Sequence, residues 1–314
     1  MLRVSVVICA HTARRWDDLL RAVHSVQNQT ASPSEVVIVV DHNDLLLRRI
    51  RDEISGVVVI PNTGTPGLGG ARNSGIAAAT GDIVAFLDDD ARASAGWLEA
   101  MLHAYENSDV SGVGGSIEPV FDGSRPPWFP SEFDWVIGCT YRGLPTGPTP
   151  VRNLFGANMS FRRSVFDAVG QFRLGYGCDE TELCIRLRQR MPGWILLFEP
   201  AMRVGHRVPS NRVTWRYFLR RCFFEGGSKA VVSHLRGASD GLQNERDYTR
   251  RVLPAGVKRN MGEALRGDIG GLGRALAIVA GLAATTAGYA AGLAALDRAA
   301  ARRGWTGQLS GQEA

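Results

Sequence analysis

The sequence predicts an α/β protein, a doubly wound, mostly parallel sheet with helices on both faces and a helical extension at the C-terminus. Three observations lead there. Runs of β-branched residues alternate with amphipathic stretches over the first 110 residues. Three of these runs stop in polar or acidic residues, at Ala10-His11-Thr12, Asp41-His42-Asn43 and Asp88-Asp89-Asp90, and in such sheets the carboxyl ends of the strands are where ligands bind. Hydrophobic residues are 45% of the 314, enough for a sizeable core.

The elements follow in order. Val4 to Ala10 is almost continuously apolar and reads as a buried parallel strand. Asp17 to Gln29 places Leu19, Leu20, Val23 and Val26 at helical spacing. Glu35 to Asp41 is a second buried strand, Asp44 to Ile54 a helix and Val57 to Ile60 a short strand. Gly67 to Gly75 opens a helix to Ala79; Ile83 to Leu87 is a strand and Trp97 to Tyr105 a helix. Beyond residue 110 the alternation fades. Val113 to Val120 reads as a strand, Asp122 to Pro150 as an ordered, aromatic-rich loop or flap, and Asn153 to Arg162 as strand-like. Asp179 to Arg190 is a helix, Trp194 to Phe198 and Met202 to Val208 two short strands, and Trp215 to Leu235 a basic, aromatic helix with a break expected at Gly226-Gly227.

The triplet Asp88-Asp89-Asp90 carries the chemistry. Adjacent carboxylates repel, so the cluster is costly to fold unless a cation neutralises it. Carboxylate oxygens suit Mg²⁺ or Mn²⁺ rather than zinc, and such ions keep open positions for substrate phosphates. An acidic turn closing a strand is the plainer reading. Three segments join the triplet, with its Asp88 and Asp89, in a nucleoside-diphosphate site: Ala10-His11-Thr12, Asp41 with Asn43, and Arg72-Asn73. A carboxylate and an amide can bind a base edge and a ribose, an arginine can grip a phosphate, and a metal can bridge the diphosphate. Asp41 as a strand-closing Asx turn and Arg72 as a surface arginine are the competing readings.

At these residues the chain resembles the family 2 glycosyltransferases of the GT-A fold. The resemblance covers roughly residues 2 to 235 and rests on VSVVICAHTARR, EVVIVVDHND, GGARNSG, VAFLDDDA, GANMSFRR and CDETELCIRLR, in the family's order. It implies that Asp41 and Arg72 contact the nucleotide, that Asp88 lies near the ribose, that Asp90 binds the metal and that His206 matches a late histidine beside it. Gly156-Ala157-Asn158 falls where the family has a loop near donor sugar and acceptor. Asp179-Glu180 opens a helix, where the macrodipole alone favours acids; an inverting displacement also needs a base for the acceptor hydroxyl. The family shows Glu-Asp here and this chain Asp-Glu. Alignment on Thr181-Glu182-Leu183 favours Glu180, with Asp179 left open. Glu182 is expected to pair with Arg186 along the helix. NRVTW at 211–215 does not match the QxxRW of processive synthases, so transfer of one sugar is expected.

The implied donor is a nucleotide-diphosphate sugar and the acceptor a glycan or lipid-linked hydroxyl. A polyprenyl-phosphate sugar synthase and a non-catalytic nucleotide-sugar binder are the alternatives. A nucleotidyltransferase would want glycines and a lysine after the first strand, where Thr12 to Arg15 stand. Net charge is +5, with basic residues late in the chain, and no RNA-binding or zinc-finger pattern accompanies them. Five cysteines without a CxxC pair read as reduced thiols. The absence of a signal-peptide pattern points to the cytoplasm or the cytoplasmic face of a membrane. The expected domains are 1–235, catalytic, with halves 1–110 and 111–235, and 236–314, helical. Membrane contact is expected through 213–235 and through 275–296, an uncharged run long enough to span. The latter also carries Gly288 and Gly292 at GxxxG spacing, suited to packing on the domain or on a second subunit in a homodimer.

Overall fold

A computed structural model describes residues 2–174, 179–236 and 246–309. The chain divides into two compact units, residues 1–122 with 137–208, and residues 123–136 with 209–314.

The first unit is built on one mixed sheet. Its strands are β1 (Val4–Ala10), β2 (Glu35–Asp41), β3 (Val58–Asn62), β4 (Ile83–Asp88), β5 (Ala91–Ala93), β6 (Val110–Phe121), β7 (Thr149–Pro150), β8 (Asn158–Arg162) and β9 (Ile195–Val208). The order is β3-β2-β1-β4-β8-β6-β9-β5, with β7 on β9. β1 to β4 pair in parallel, as their continuous apolar runs require. Antiparallel β8 then joins β4 to β6. The helices are α1 (Trp16–Gln27), α2 (Asp44–Glu53), α3 (Leu68–Ala78), α4 (Trp97–Ala104), α5 (Arg163–Val169) and α6 (Asp179–Arg190). Val7, Val39, Phe86, Phe161, Leu183 and Leu187 meet in the core, where Phe86 stands edge-on to Phe172 at 5.5 Å.

Three local expectations change. The two strands foreseen over 194–208 are one, because β6 pairs with both halves, Gly115 opposite Glu199 and Ile117 opposite Val204, across a register shift. Gly115 serves that crossing: a Cβ there would lie 1.7 Å from the Met202 carbonyl oxygen. Only the last five residues of 153–162 form a strand, β8, which α5 follows directly.

The second unit contains α7 (Trp215–Arg236), α8 (Leu253–Leu265) and α9 (Gly270–Leu309). The aromatic residues of 123–136 form its core. Trp128 stacks on Trp215 with centroids 4.3 Å apart, and Phe218 meets Phe129 edge-on at 5.5 Å. The fully buried Glu132 pairs with Arg259 at 2.6 Å. α7 runs unbroken through Gly226-Gly227, because the missing side chains admit α9: a Cβ on Gly226 would lie 2.0 Å from the Thr285 carbonyl, and one on Gly288 1.9 Å from that of Phe223. The GxxxG pair is therefore used within the chain, Gly292 lying against Gly227 and Ala230.

Candidate active site

The carboxyl ends of β2, β1 and β4 lie side by side, because the parallel register sets Cys9 opposite Asp88 and Val40 opposite Ala10. That edge collects Asp41, Ala10-His11-Thr12 and the acidic triplet. β5, three residues that the sequence pattern does not reveal, then turns back to pair with β9 and sets Ala91 opposite His206. This pairing carries a histidine from 116 positions downstream to Asp90, with His206 Nε2 3.1 Å from Asp90 Oδ1. One oxygen each of Asp88 and Asp90 and one ring nitrogen of His206 lie within 4.8 Å of one another. Asp88, expected beside a ribose, thus stands with the two residues expected at a metal. On its other ring face His206 has Cys139 Sγ 3.9 Å from Nδ1.

Arg15, given no role in the sequence reading, places Nη1 2.7 Å from Asp89 Oδ1 and 3.1 Å from Asp90 Oδ2. Its only signal in the sequence is that it is among the first basic residues after β1. Burial pushes the Asp89 carboxyl up to about 6, against the pull of Arg15. Asp89 Oδ2 is buried and accepts no hydrogen bond from the described residues. Two carboxylates and an imidazole within 4.8 Å of one another fit a hard divalent cation.

Arg72, on α3, is nearly fully buried and donates to the Gly156 carbonyl at 3.0 Å. Its guanidinium lies 3.7 Å from Asp88 Oδ1 and 3.8 Å from Glu180 Oε2. The surface-arginine reading is thereby excluded. Glu180 and Asp179 open α6, and they point differently. Glu180 reaches Arg72, whereas Asp179 packs on the start of α3, where a Cβ on Gly69 would lie 2.6 Å from its Oδ2. Glu182 is buried and pairs with Arg186 at 2.9 Å, as its spacing foretells.

Other named residues also make structural contacts. Asp41 Oδ1 accepts from Asn62 at 2.6 Å and contacts His42 Nδ1 at 2.9 Å, while Oδ2 accepts from the Gly67 N–H at 2.8 Å. Burial pushes this carboxyl up, but those hydrogen bonds outweigh it and hold Asp41 below its ordinary value. Asn62 was not foreseen; it is the residue paired with Asp41 in the β2–β3 register. Asn43 caps α2 by accepting from the Leu46 N–H at 3.0 Å and donates to the His11 carbonyl. Thr12 caps the short turn Ala13–Arg15. Asn73 makes two hydrogen bonds with the Phe172 backbone. Asn158 is fully buried; it accepts from the Trp97 indole at 2.8 Å and donates to the Ser116 and Met202 carbonyls. Ala157 is buried beside it, and the Gly156 carbonyl accepts from Arg72. Cys9, Cys139, Cys184 and Cys222 form no disulfide; Cys178 lies outside the described residues.

A mixed sheet whose carboxyl edge joins an acidic cluster, a buried arginine and a separate carboxylate defines a sugar-transfer scaffold of the GT-A type. Residues 5–170 match the family described as Glycosyl transferase family 2, and the chain belongs to that family as a glycosyltransferase. It is similar to the glucosyl-dolichyl phosphate glucuronosyltransferase of Haloferax volcanii, with 35% identity over 246 residues, 74% of this chain and 78% of that protein. Polypeptide N-acetylgalactosaminyltransferase 5 of Caenorhabditis elegans is 29% identical over 232 residues, and the match spans only 37% of its length. Among solved structures, the mannosyltransferase PcManGT of Pyrobaculum calidifontis with GDP-Man and Mn²⁺ superposes with a TM-score of 0.56 at 16% identity, over 90% of this chain and 87% of that one. GalNAc-T7 with UDP, GalNAc and Mn²⁺ gives 0.53 at 23% identity, over 66% and 43%. At these identities the two structures speak for the fold.

Proposed function

We propose that the chain moves one sugar, with inversion, from a nucleotide-diphosphate sugar to a hydroxyl of a lipid-linked or envelope glycan. The observation that carries this is the single cluster in which Arg72 links Asp88, beside Asp90 and His206, to Glu180. Asp88, Asp90 and His206 are the residues that would hold Mg²⁺ or Mn²⁺. Such an ion neutralises the charge that grows on a departing diphosphate. The Arg72 guanidinium is placed to share that charge and to orient the phosphates. Glu180, whose Oε2 lies 3.8 Å from Arg72, is the acceptor of the hydroxyl proton. The edge at Ala10, His11, Thr12 and Asp41 receives base and ribose, with Asn43 and Asn62 holding its backbone and Asp41 in place. Asn73 and Asn158 support the site from behind rather than touching donor.

The acceptor reading leans on the Haloferax relative, whose name places its acceptor sugar on dolichyl phosphate. That favours a sugar hydroxyl over the lipid phosphate itself and supports a reaction at a membrane surface, which we read as the cytoplasmic face. A panel of UDP- and GDP-sugars, with Mn²⁺ or Mg²⁺ and a short-chain polyprenyl-phosphate sugar, tests it through release of free nucleoside diphosphate and mass analysis of the acceptor. Release that persists after complete chelation contradicts the metal site; an unmodified lipid beside active hydrolysis contradicts the acceptor.

A further inference from the structure

One face of α9 is apolar and exposed. On α9, Leu272, Leu276 and Val279 recur at steps of four and three, 52, 62 and 56% exposed, while Leu265 at the end of α8 and Ile269 in the turn before α9 are 87 and 80% exposed. Ala283, Ala287 and Ala290 continue the same face, also exposed. Single exposed leucines are ordinary, but a continuous ridge marks a contact surface. The opposite face, with Ile278, Gly281 and Gly288, is buried.

Gly270–Arg298 is long and apolar enough to cross a bilayer, so two geometries compete. The packing of α9 decides between them. It lies along α7 from Gly281 at Phe218 to Gly292 at Ala230. Over that same length α7 carries Arg220, Arg221, Glu225 and Lys229, with Glu225 ion-paired to Arg221 and Lys229. A spanning α9 would draw these charges into hydrocarbon or tear apart the glycine contacts. Lying flat keeps both. Charge favours an anionic surface: residues 123–136 and 209–314 hold 17 of the 36 lysines and arginines but only 10 of the 31 acids. Exposed Arg266 and Arg298 bracket the uncharged stretch.

We propose that the second unit docks peripherally on anionic lipid, with the α9 ridge of Leu272, Leu276 and Val279 seated at the headgroup–acyl boundary and its arginines among the headgroups. This surface does not depend on the acceptor proposed above.

Flotation of the full chain with phosphatidylcholine vesicles, with and without phosphatidylglycerol, at low and high salt, tests it. Binding should require phosphatidylglycerol, weaken with salt and be reversed by alkaline carbonate. Leu276→Gln with Val279→Gln should lower the partition coefficient by about tenfold while near-ultraviolet circular dichroism and melting temperature stay those of the wild type. Arg266→Gln should weaken binding only to the anionic vesicles. Three results overturn the proposal: binding indifferent to the double substitution, retention through carbonate extraction, or a solution dimer that the double substitution abolishes. Because none of these readouts uses sugar transfer, failure here is separable from failure of the enzymatic reading.

Discussion

Arg72 lies between two carboxylates, 3.7 Å from Asp88 and 3.8 Å from Glu180, and its Nη2 donates to the Gly156 carbonyl. A buried cation shared in this way links the acidic edge to the candidate base. Arg72→Lys keeps the charge but loses the planar fork. It should lower kcat/KM for the donor by about 10²-fold, and Arg72→Ala should lower it further, since two carboxylates then lose their shared counter-charge. Steady-state kinetics with the preferred donor measures both; a lysine variant of wild-type efficiency removes the phosphate-orienting role.

Glu180 and Asp179 are separable. Glu180→Gln should cut kcat by about 10²- to 10⁴-fold with donor affinity little changed. Asp179→Asn should act less on kcat and more on stability, because its side chain packs on the start of α3. The reverse order of effects on kcat would move the base to Asp179.

The cluster of Asp88, Asp90 and His206 predicts stabilisation by metal. Mn²⁺ or Mg²⁺ should raise the melting temperature of the wild type, by about 2.7 kcal/mol of stability at a hundred times the dissociation constant. Asp90→Asn and His206→Ala should abolish most of that rise. Differential scanning fluorimetry against metal concentration reads this without any turnover.

Asp41 gives a pH-dependent contribution of known sign. Its folded-state carboxyl is held below the ordinary value, so its stabilisation is present above the unfolded value of about 4 and is lost as pH falls through the folded one. Asp41→Asn should therefore destabilise at neutral pH and flatten the acid limb below about pH 4. Urea unfolding at several pH values checks the slope; an unchanged acid limb shows that the bonds to Asn62 and Gly67 do not set it.

Asn158 is predicted to matter for folding. Asn158→Ala strips the Trp97 indole and two carbonyls of their buried partner, at a cost of about 2–4 kcal/mol. Denaturant titration measures this. Donor binding by the folded fraction should remain near wild type, which separates support from contact.

β1 and β2 were legible to the residue, because an unbroken β-branched run that ends in a polar residue is a local signal. The acidic triplet and the helix of Asp179–Arg190 were legible for the same reason. Spacing also foretold the Glu182–Arg186 pair, since both members sit on one helix. The sequence by itself thus determined the α/β class and which strands end in polar and acidic residues. Only the tertiary structure decided that His206 meets Asp90 through a three-residue strand, that Arg15 braces the triplet and that Arg72 faces Glu180. It alone showed that Gly226-Gly227 admits a helix rather than ending one. Each of these joins residues far apart in the chain, and no local period encodes such a meeting, because sheet register and helix packing choose the partners.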